Sequence, residues 1–586
     1  MQLSVRATAV VLSVLVVVTM ACGGGTSVTA GSGPGVPPRP PAPLPSLPVQ
    51  GWVVDPFGDP VSGARVRVQG SAEVHLTDAA GRFDFAAHDD PPSPVRITAG
   101  RAGYFNAATE WSAGQPTVLE LTPAPGHDNP DYRVTPSYVC RQCHPNQLNL
   151  WRRSGLGKSG VNPWVHDLFN GLGTEGGMGG FVYQRDSQEL AHAPNGDCAS
   201  CHAPVRALRD PGHVDLGDPR APVLDMLDGV SCEVCHKVAD VDLRYAHYPG
   251  IHPLKARLVR PVDPYLDAVM LGPLDDAVYF NPPMRPAFAP VQADGATLCA
   301  LCHEYSIDHD GDGDHEDEGS VPCMTTWSEW RASRFGAPGP EHQSCIDCHL
   351  SPSSHTASTL IEVQRNRAMH AHDFPRAGEA LAPNHGGCGG SGSGGGGGAH
   401  AWYQGPMSID LNLQTLRDGR VLVVVDVTNS EHGHAMPTGS PIRSLLLRVE
   451  AEMGGAPLPQ LSGSVLDETA GVGDPATGHF AGLPGMVYAR VLADGSGRPV
   501  PLFTEAKAVH HDTRIQAGAT DRAMFVFGTP GTGVVRVKVQ LLYRRIFRAI
   551  LDSKGWTLDA NGSALPDLTP PAVGRVMGEV SAVLRI

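Results

Sequence analysis

Cys140-Arg-Gln-Cys143-His144 is the first of five copies of one pattern, Cys-x-x-Cys-His. The others are Cys198-Ala-Ser-Cys201-His202, Cys232-Glu-Val-Cys235-His236, Cys299-Ala-Leu-Cys302-His303 and Cys345-Ile-Asp-Cys348-His349. Two thiols at this spacing add across the vinyl groups of one porphyrin, and the adjacent histidine reaches the iron. The pattern therefore predicts five covalently attached c-type haems. Its ten cysteines are the anchors, and His144, His202, His236, His303 and His349 are the proximal iron ligands. Paired cysteines also occur in zinc sites and redox dithiols. Zinc does not account for a histidine after every pair, and a redox dithiol normally occurs once, beside a βαβ pattern.

At 586 residues the chain has room for several domains. Of its 13 cysteines, Cys22, Cys323 and Cys388 stand outside the motifs, and in an exported protein the last two are either a disulfide or free thiols. The formal net charge is -16, before any haem propionates are added. That surface excludes a nucleic-acid footprint and suits basic redox partners or divalent cations. Gly and Pro are abundant and aromatic residues few. This composition fits a loop-rich cytochrome in which porphyrins supply apolar mass.

Residues 1–21 read as an export signal: Arg6 precedes an apolar run from Ala9 to Val18 that is too short to be a stable membrane span. The run ends Met20-Ala21-Cys22-Gly23, which resembles a bacterial lipoprotein cleavage box with the acylated cysteine first; ordinary cleavage after Ala21 is the alternative. Thr19 departs from the usual Leu of that box. Residues 22–48 are a Pro/Gly-rich tether. Over 49–123, period-two segments such as Ala64-Arg65-Val66-Arg67-Val68 alternate with Gly, Pro and Asp turns, which predicts a small β-sandwich. Gly51-Trp52-Val53-Val54-Asp55, running on through Gly58, Pro60, Val61, Gly63 and Ala64, resembles the carboxypeptidase regulatory-like domain. That family implies a spacer or adhesion unit and no chemistry.

Residues 124–385 are expected to form the pentahaem domain, with short helices at Asn146–Arg153 and Thr325–Ser333. Several strings there resemble the multihaem c-type cytochromes that include the electron acceptor of hydroxylamine oxidation. They are Cys140-x-x-Cys143-His144-Pro145 with Trp151-Arg152-x-Ser154, Cys201-His202-Ala203-Pro204, Gly229-Val230-Ser231-Cys232, and Trp327-Ser328-Glu329-Trp330-Arg331. The chain departs from the family where Gly155-Leu156 replaces the expected His and Leu350 the usual Met, and no motif ends in Lys. The resemblance implies low-spin haems carrying a second axial ligand. Thirteen histidines outside the motifs lie between His127 and His385, more than are needed. The distal assignments are His166, His213, His247, His372 and His434, with His252 and His355 as alternates. Asp308, Asp310, Asp312 and Asp314 follow the opening of a calcium loop, although Gly319 stands where its bidentate Glu belongs.

Residues 386–400 read as a Gly-rich linker, and 401–586 as a second β-sandwich built on runs such as Val421–Val427, Ser444–Val449 and Val534–Val539. The loop Asn429-Ser-Glu-His432-Gly433-His434-Ala435-Met436-Pro437-Thr438-Gly439, with Asp512-x-Arg514-Ile515 and Leu542-Tyr543-Arg544-Arg545, resembles a β-domain found behind haem domains in that cytochrome family. From that loop His434 is expected to reach an iron and His432 to face solvent. The expected whole is multidomain: a loop-rich, mainly short-helical pentahaem cytochrome c domain flanked by two β-sandwiches. It would be an exported electron carrier, periplasmic or at the outer membrane or cell surface, held by a lipid on Cys22 and working with other redox proteins. The alternatives are an oxidoreductase for a small nitrogen or sulfur oxyanion at one open haem, and a surface protein in which haems form a conduit.

Overall fold

The computed structural model describes residues 47–586 apart from 88–94, 113, 173–178, 188–195, 210–213, 217–226, 264–267, 280–283, 354–357, 359–368, 375–391, 395–399 and 560–561. Residues 47–586 form one compact unit. At its start, Leu47–Val54 lies between Arg82–Ala87, antiparallel, and Thr117–Glu120, parallel. A second sheet runs His75–Leu76, Arg65–Val68, Arg96–Gly100, Ala107–Glu110. Alternate residues of both sheets (Val49, Val53, Phe83 and Leu119 from one; Val66, Ile97 and Ala99 from the other) share one core. Gly51 is required because a Cβ there would sit 1.9 Å from the Thr117 carbonyl oxygen. The module does not stand apart as a spacer. Arg65 and Arg67 each place a guanidinium nitrogen 2.6 Å from the buried Asp275 carboxylate, and Phe105 enters the core of the next region.

In the region that follows, helices are short and carry the motifs. Cys198–His202, Cys232–His236 and Cys345–His349 are each a single helical turn and a little more, Ala300–His303 follows a turn at Thr297–Cys299, and Ser137–Gln142 precedes Pro145–Trp151. Helices this short are not stable alone. Caps and packing hold them: the Ser231 hydroxyl accepts from Val234 N–H, and Ser344 and Asp347 form a capping box. The expected helices at Asn146–Arg153 and Thr325–Ser333 are present as Pro145–Trp151 and Thr326–Arg331. The region is less helical than expected. Three two-stranded ladders lie between the motifs: Val238–Val241 with Ala256–Leu258, Val269–Gly272 with Arg285–Phe288, and Glu304–Asp308 with Ser320–Thr325. Buried Val, Leu and Ala side chains of the first two ladders pack in one core with residues of the second, third and fourth motif helices, and the third ladder buries Tyr305, Ile307 and Val321 in a smaller one.

The last region stacks two sheets on one core. The first runs Gly392–Gly394, His400–Gln404, Met407–Thr415, Val421–Asn429, Thr520–Phe527, Gln460–Ser462. The second orders Ala456–Pro457, Ser444–Met453, Val534–Arg544 and Arg575–Arg585, with Gly485–Tyr488 also on Ser444–Met453. Part of the expected linker is thus an edge strand, since Gly392–Gly394 pairs with His400–Gln404. A smaller core of Phe480, Phe547, Ile550 and Trp556 lies beside the sheets, and Trp556 stacks on Trp164 at 4.7 Å, joining this region to the motif-bearing one.

Candidate haem sites

The five motifs converge, and not in chain order. The thiols of Cys140 and Cys232 lie close enough to act on one another, as do those of Cys201 and Cys302 and those of Cys299 and Cys345. Cys235 lies within electrostatic reach of Cys302 and Cys299. The first motif therefore neighbours the third, and the fourth neighbours the second, third and fifth. Burial pushes the Cys198 and Cys235 thiols up to about 12, so the protein does not prime them as free thiolates. Among the described residues, the one set of three or more His, Cys, Asp or Glu ligand atoms within 4.8 Å of one another is Asp308, Asp310 and Asp312.

Among the described residues, His236 and His349 each face a second imidazole. The rings of His236 and His372 are 6.4 Å apart and within 14° of parallel; those of His349 and His434 are 6.2 Å apart and within 17°. Metal–nitrogen bonds of about 2.0–2.1 Å, plus roughly 1.1 Å from ring nitrogen to ring centre, put two imidazoles on one ion about 6.3 Å apart. Hydrogen bonds orient the rings. His236 Nδ1 lies 2.6 Å from the Leu271 carbonyl oxygen and His434 Nδ1 lies 3.0 Å from that of Ala435. A carbonyl only accepts, so each Nδ1 carries the proton and each Nε2 keeps its lone pair for a metal. Burial pushes the His372 imidazole down to about 4, leaving it neutral as a ligand must be. The Nδ1 atoms of His202 and His372 are buried with no hydrogen-bond partner among the described residues. Orphaned ring nitrogens of this kind cost free energy, and with the paired rings they fit a bound metal-bearing group.

His202 is likewise pushed down to about 4 by burial, with His166 close enough to add to the effect; His166 Nε2 lies 2.9 Å from the Gly160 carbonyl oxygen. Burial takes His303 to about 4 as well, with Arg443, His434 and Lys255 around it. Other expectations change. The structure engages both ring nitrogens of His247 with carboxylates, Glu304 at 3.3 Å and Glu316 at 2.8 Å, and turns it away from a ligand role. His252 packs on Tyr248 at 4.7 Å. His213, His355 and Cys388 lie outside the described residues. His432 does not face solvent: its ring is 5.8 Å from that of His434, its Nδ1 is 3.0 Å from Asn429 Oδ1, and burial pushes it down to about 3. Its position two residues from His434 on a strand-to-loop exit left both orientations open in sequence. Asp314 leaves the acidic trio and accepts from Glu316 N–H at 2.9 Å and from the Tyr248 hydroxyl at 3.4 Å. Cys323 is buried beside Tyr305 and Ile307, its thiol pushed up to about 12.

One residue that sequence reasoning passed over is Lys255. It is fully buried, and its ammonium donates to the carbonyls of Tyr248, Leu301 and Glu304 at 2.9, 2.9 and 2.8 Å. Burial pushes it down to about 8, and the thiols of Cys201 and Cys302 are close enough to act on it. A lone Lys in Pro-Leu-Lys-Ala carries no signal of this in sequence.

Residues 181–237, which hold the second and third motifs, match the family model described as cytochrome c554 and c-prime. The match supports a multihaem c-type cytochrome. Among solved structures, the chain is similar to a penta-heme cytochrome c552 from Thermochromatium tepidum, with a TM-score of 0.45 and 20% identity over 78% of this chain and 99% of that one. No curated protein matches the chain. Among the described residues no helix is long and apolar enough to cross a membrane.

Proposed function

We propose that this multihaem c-type cytochrome carries electrons through five covalent haems, one at each motif. The convergence of the five motifs into one contiguous group is the observation that carries the reading. Bound haem supplies reversible one-electron chemistry at iron. With haem bound, the ten cysteines would anchor it, and His236 with His372, His349 with His434, and His202 with the nearby His166 would hold the iron. A pyridine haemochrome assay on purified protein should return five haems per chain that survive acid-acetone extraction. Two or fewer would refute the reading.

A second reading, reduction of a small oxyanion at an open iron, draws on the cationic surroundings of His303. Among the described residues no imidazole stacks on it, and the cations Arg443 and Lys255 lie near it. Carbon monoxide binding by the reduced wild-type protein would select that reading; a wholly low-spin protein would dismiss it.

On sequence grounds we also propose export directed by residues 1–21, a lipid on Cys22, and a tether over 22–48 that lets the acidic surface meet basic redox partners. Cys22→Ser should release the protein from the detergent phase. The calcium reading now rests on Asp308, Asp310 and Asp312, whose carboxylates converge without Asp314. Millimolar calcium should raise the melting temperature by mass action on the folded state, and Asp310→Ala should abolish the rise.

A further inference from the structure

The carboxylate of Glu329, on the Thr326–Arg331 helix, has partners on both sides of the junction between the motif-bearing region and the last β-domain. Oε1 accepts from the Thr325 hydroxyl and from the Arg514 guanidinium, both at 2.6 Å; Oε2 accepts from the Thr438 hydroxyl at 2.6 Å and from the Ala435 N–H at 3.2 Å. The side chains of Glu329 and Arg514 are 8% and 5% exposed. Asp512 holds the other face of Arg514 through two contacts of 2.8 Å. Two of the four groups on Glu329 belong to the loop that carries His434, and one of them is the next peptide N–H along the chain.

A buried ion pair is weak evidence for stability, because apolar residues of the same volume often serve the fold as well or better. What a carboxylate with four directed partners supplies is direction. Resting on the proposed ligation by His434, we infer that Glu329 is a positioning residue: it fixes the 435–438 backbone so that the His434 ring faces His349. The same loop holds His432 back. That ring has Nδ1 on Asn429 and lies against the Pro406 carbonyl, while the Asn429 amide donates to the His434 carbonyl at 2.8 Å and to that of Ile515 at 3.0 Å. One loop thus carries two imidazoles and presents one.

The test compares holoprotein variants by high-spin signal, carbon monoxide band and redox titration. His434→Ala is the reference and should add a high-spin, carbon monoxide-binding signal at one haem. Glu329→Ala and Thr438→Val should each produce part of that signal at the same haem, and added imidazole should reverse it in all three. Asp567→Asn removes a buried ion-pair partner of Arg545 elsewhere in the same domain and should keep the wild-type spectrum. If Glu329→Ala yields no folded holoprotein, Thr438→Val, which deletes one hydroxyl, decides by the same signal. Wild-type spectra in Glu329→Ala and Thr438→Val beside an altered His434→Ala would overturn the positioning role and leave the ligation standing. An unchanged His434→Ala would sink the ligation itself, and Glu329 would have nothing to position. A high-spin signal in Asp567→Asn would show that any loss of domain stability loosens the ligand, and would also overturn the role.

Discussion

Lys255 and His247 show how single side chains set the response of the molecule to pH, with opposite signs. Burial holds the Lys255 ammonium at about 8, below the ordinary lysine range, so between about 8 and about 10.4 the unfolded chain binds the extra proton. Stability from this residue therefore rises with pH across that window. His247 is raised, chiefly by its hydrogen bond to Glu304, with Glu316 adding to it and burial opposing. Its contribution is complete below the unfolded value of about 6.5 and is lost as pH rises through the higher folded value. Denaturant titrations from pH 6 to 10 should show the loss vanish in His247→Gln and the gain vanish in Lys255→Met. Lys255→Met should also cost about 3 kcal/mol at neutral pH, because three buried carbonyls lose their donor. A buried charge beside Cys201 and Cys302 should further shift the reduction potential at the second and fourth motifs downward when it is removed. Neither role was legible in sequence. The expectation for His247 was a distal ligand role, and its carboxylate partners Glu304 and Glu316 lie on the far side of the fourth motif.

The motifs were legible as chemistry because five residues state it; that they sit on helices capped by Ser231 and Ser344 was not. Nor was what holds each helix in place. Gly250 is the clearest case. It sits at φ +50°, and a Cβ there would lie 2.2 Å from the Ser200 carbonyl oxygen, inside the second motif. Gly250→Ala should destabilise by about 1–3 kcal/mol from backbone strain and must displace either its own loop or the Cys198–His202 helix. Haem content falling toward four per chain, with the second motif unmodified by mass spectrometry, would be the expected result. The ladders between motifs were missed for a related reason. Strands of three to six residues such as Ala256–Leu258 are too short to show a period, and they exist because a partner strand and a buried face are supplied from elsewhere.

At the scale of the whole chain, the two flanking β-regions were visible in the alternation of Val and Leu, while their docking was not. Arg65 and Arg67 meet Asp275 across 210 and 208 residues of sequence. Asp275→Asn leaves two guanidinium groups against a neutral amide and should cost about 3 kcal/mol. A separate, earlier thermal transition for residues 47–123 would be its calorimetric signature; a single unshifted transition would show that Phe105 and its apolar neighbours carry the docking. The proximity of the thiols has a consequence of another kind. Taken as a graph with motifs as nodes, the neighbouring thiols Cys140–Cys232, Cys235–Cys302, Cys201–Cys302 and Cys299–Cys345 form a branched tree among the described residues, and the fourth motif is the node of highest degree. A tree has one route between any two nodes and no detour. Loss of the first, second or fifth motif trims a tip, whereas loss of Cys299 and Cys302 would sever the second and fifth motifs from the first and third.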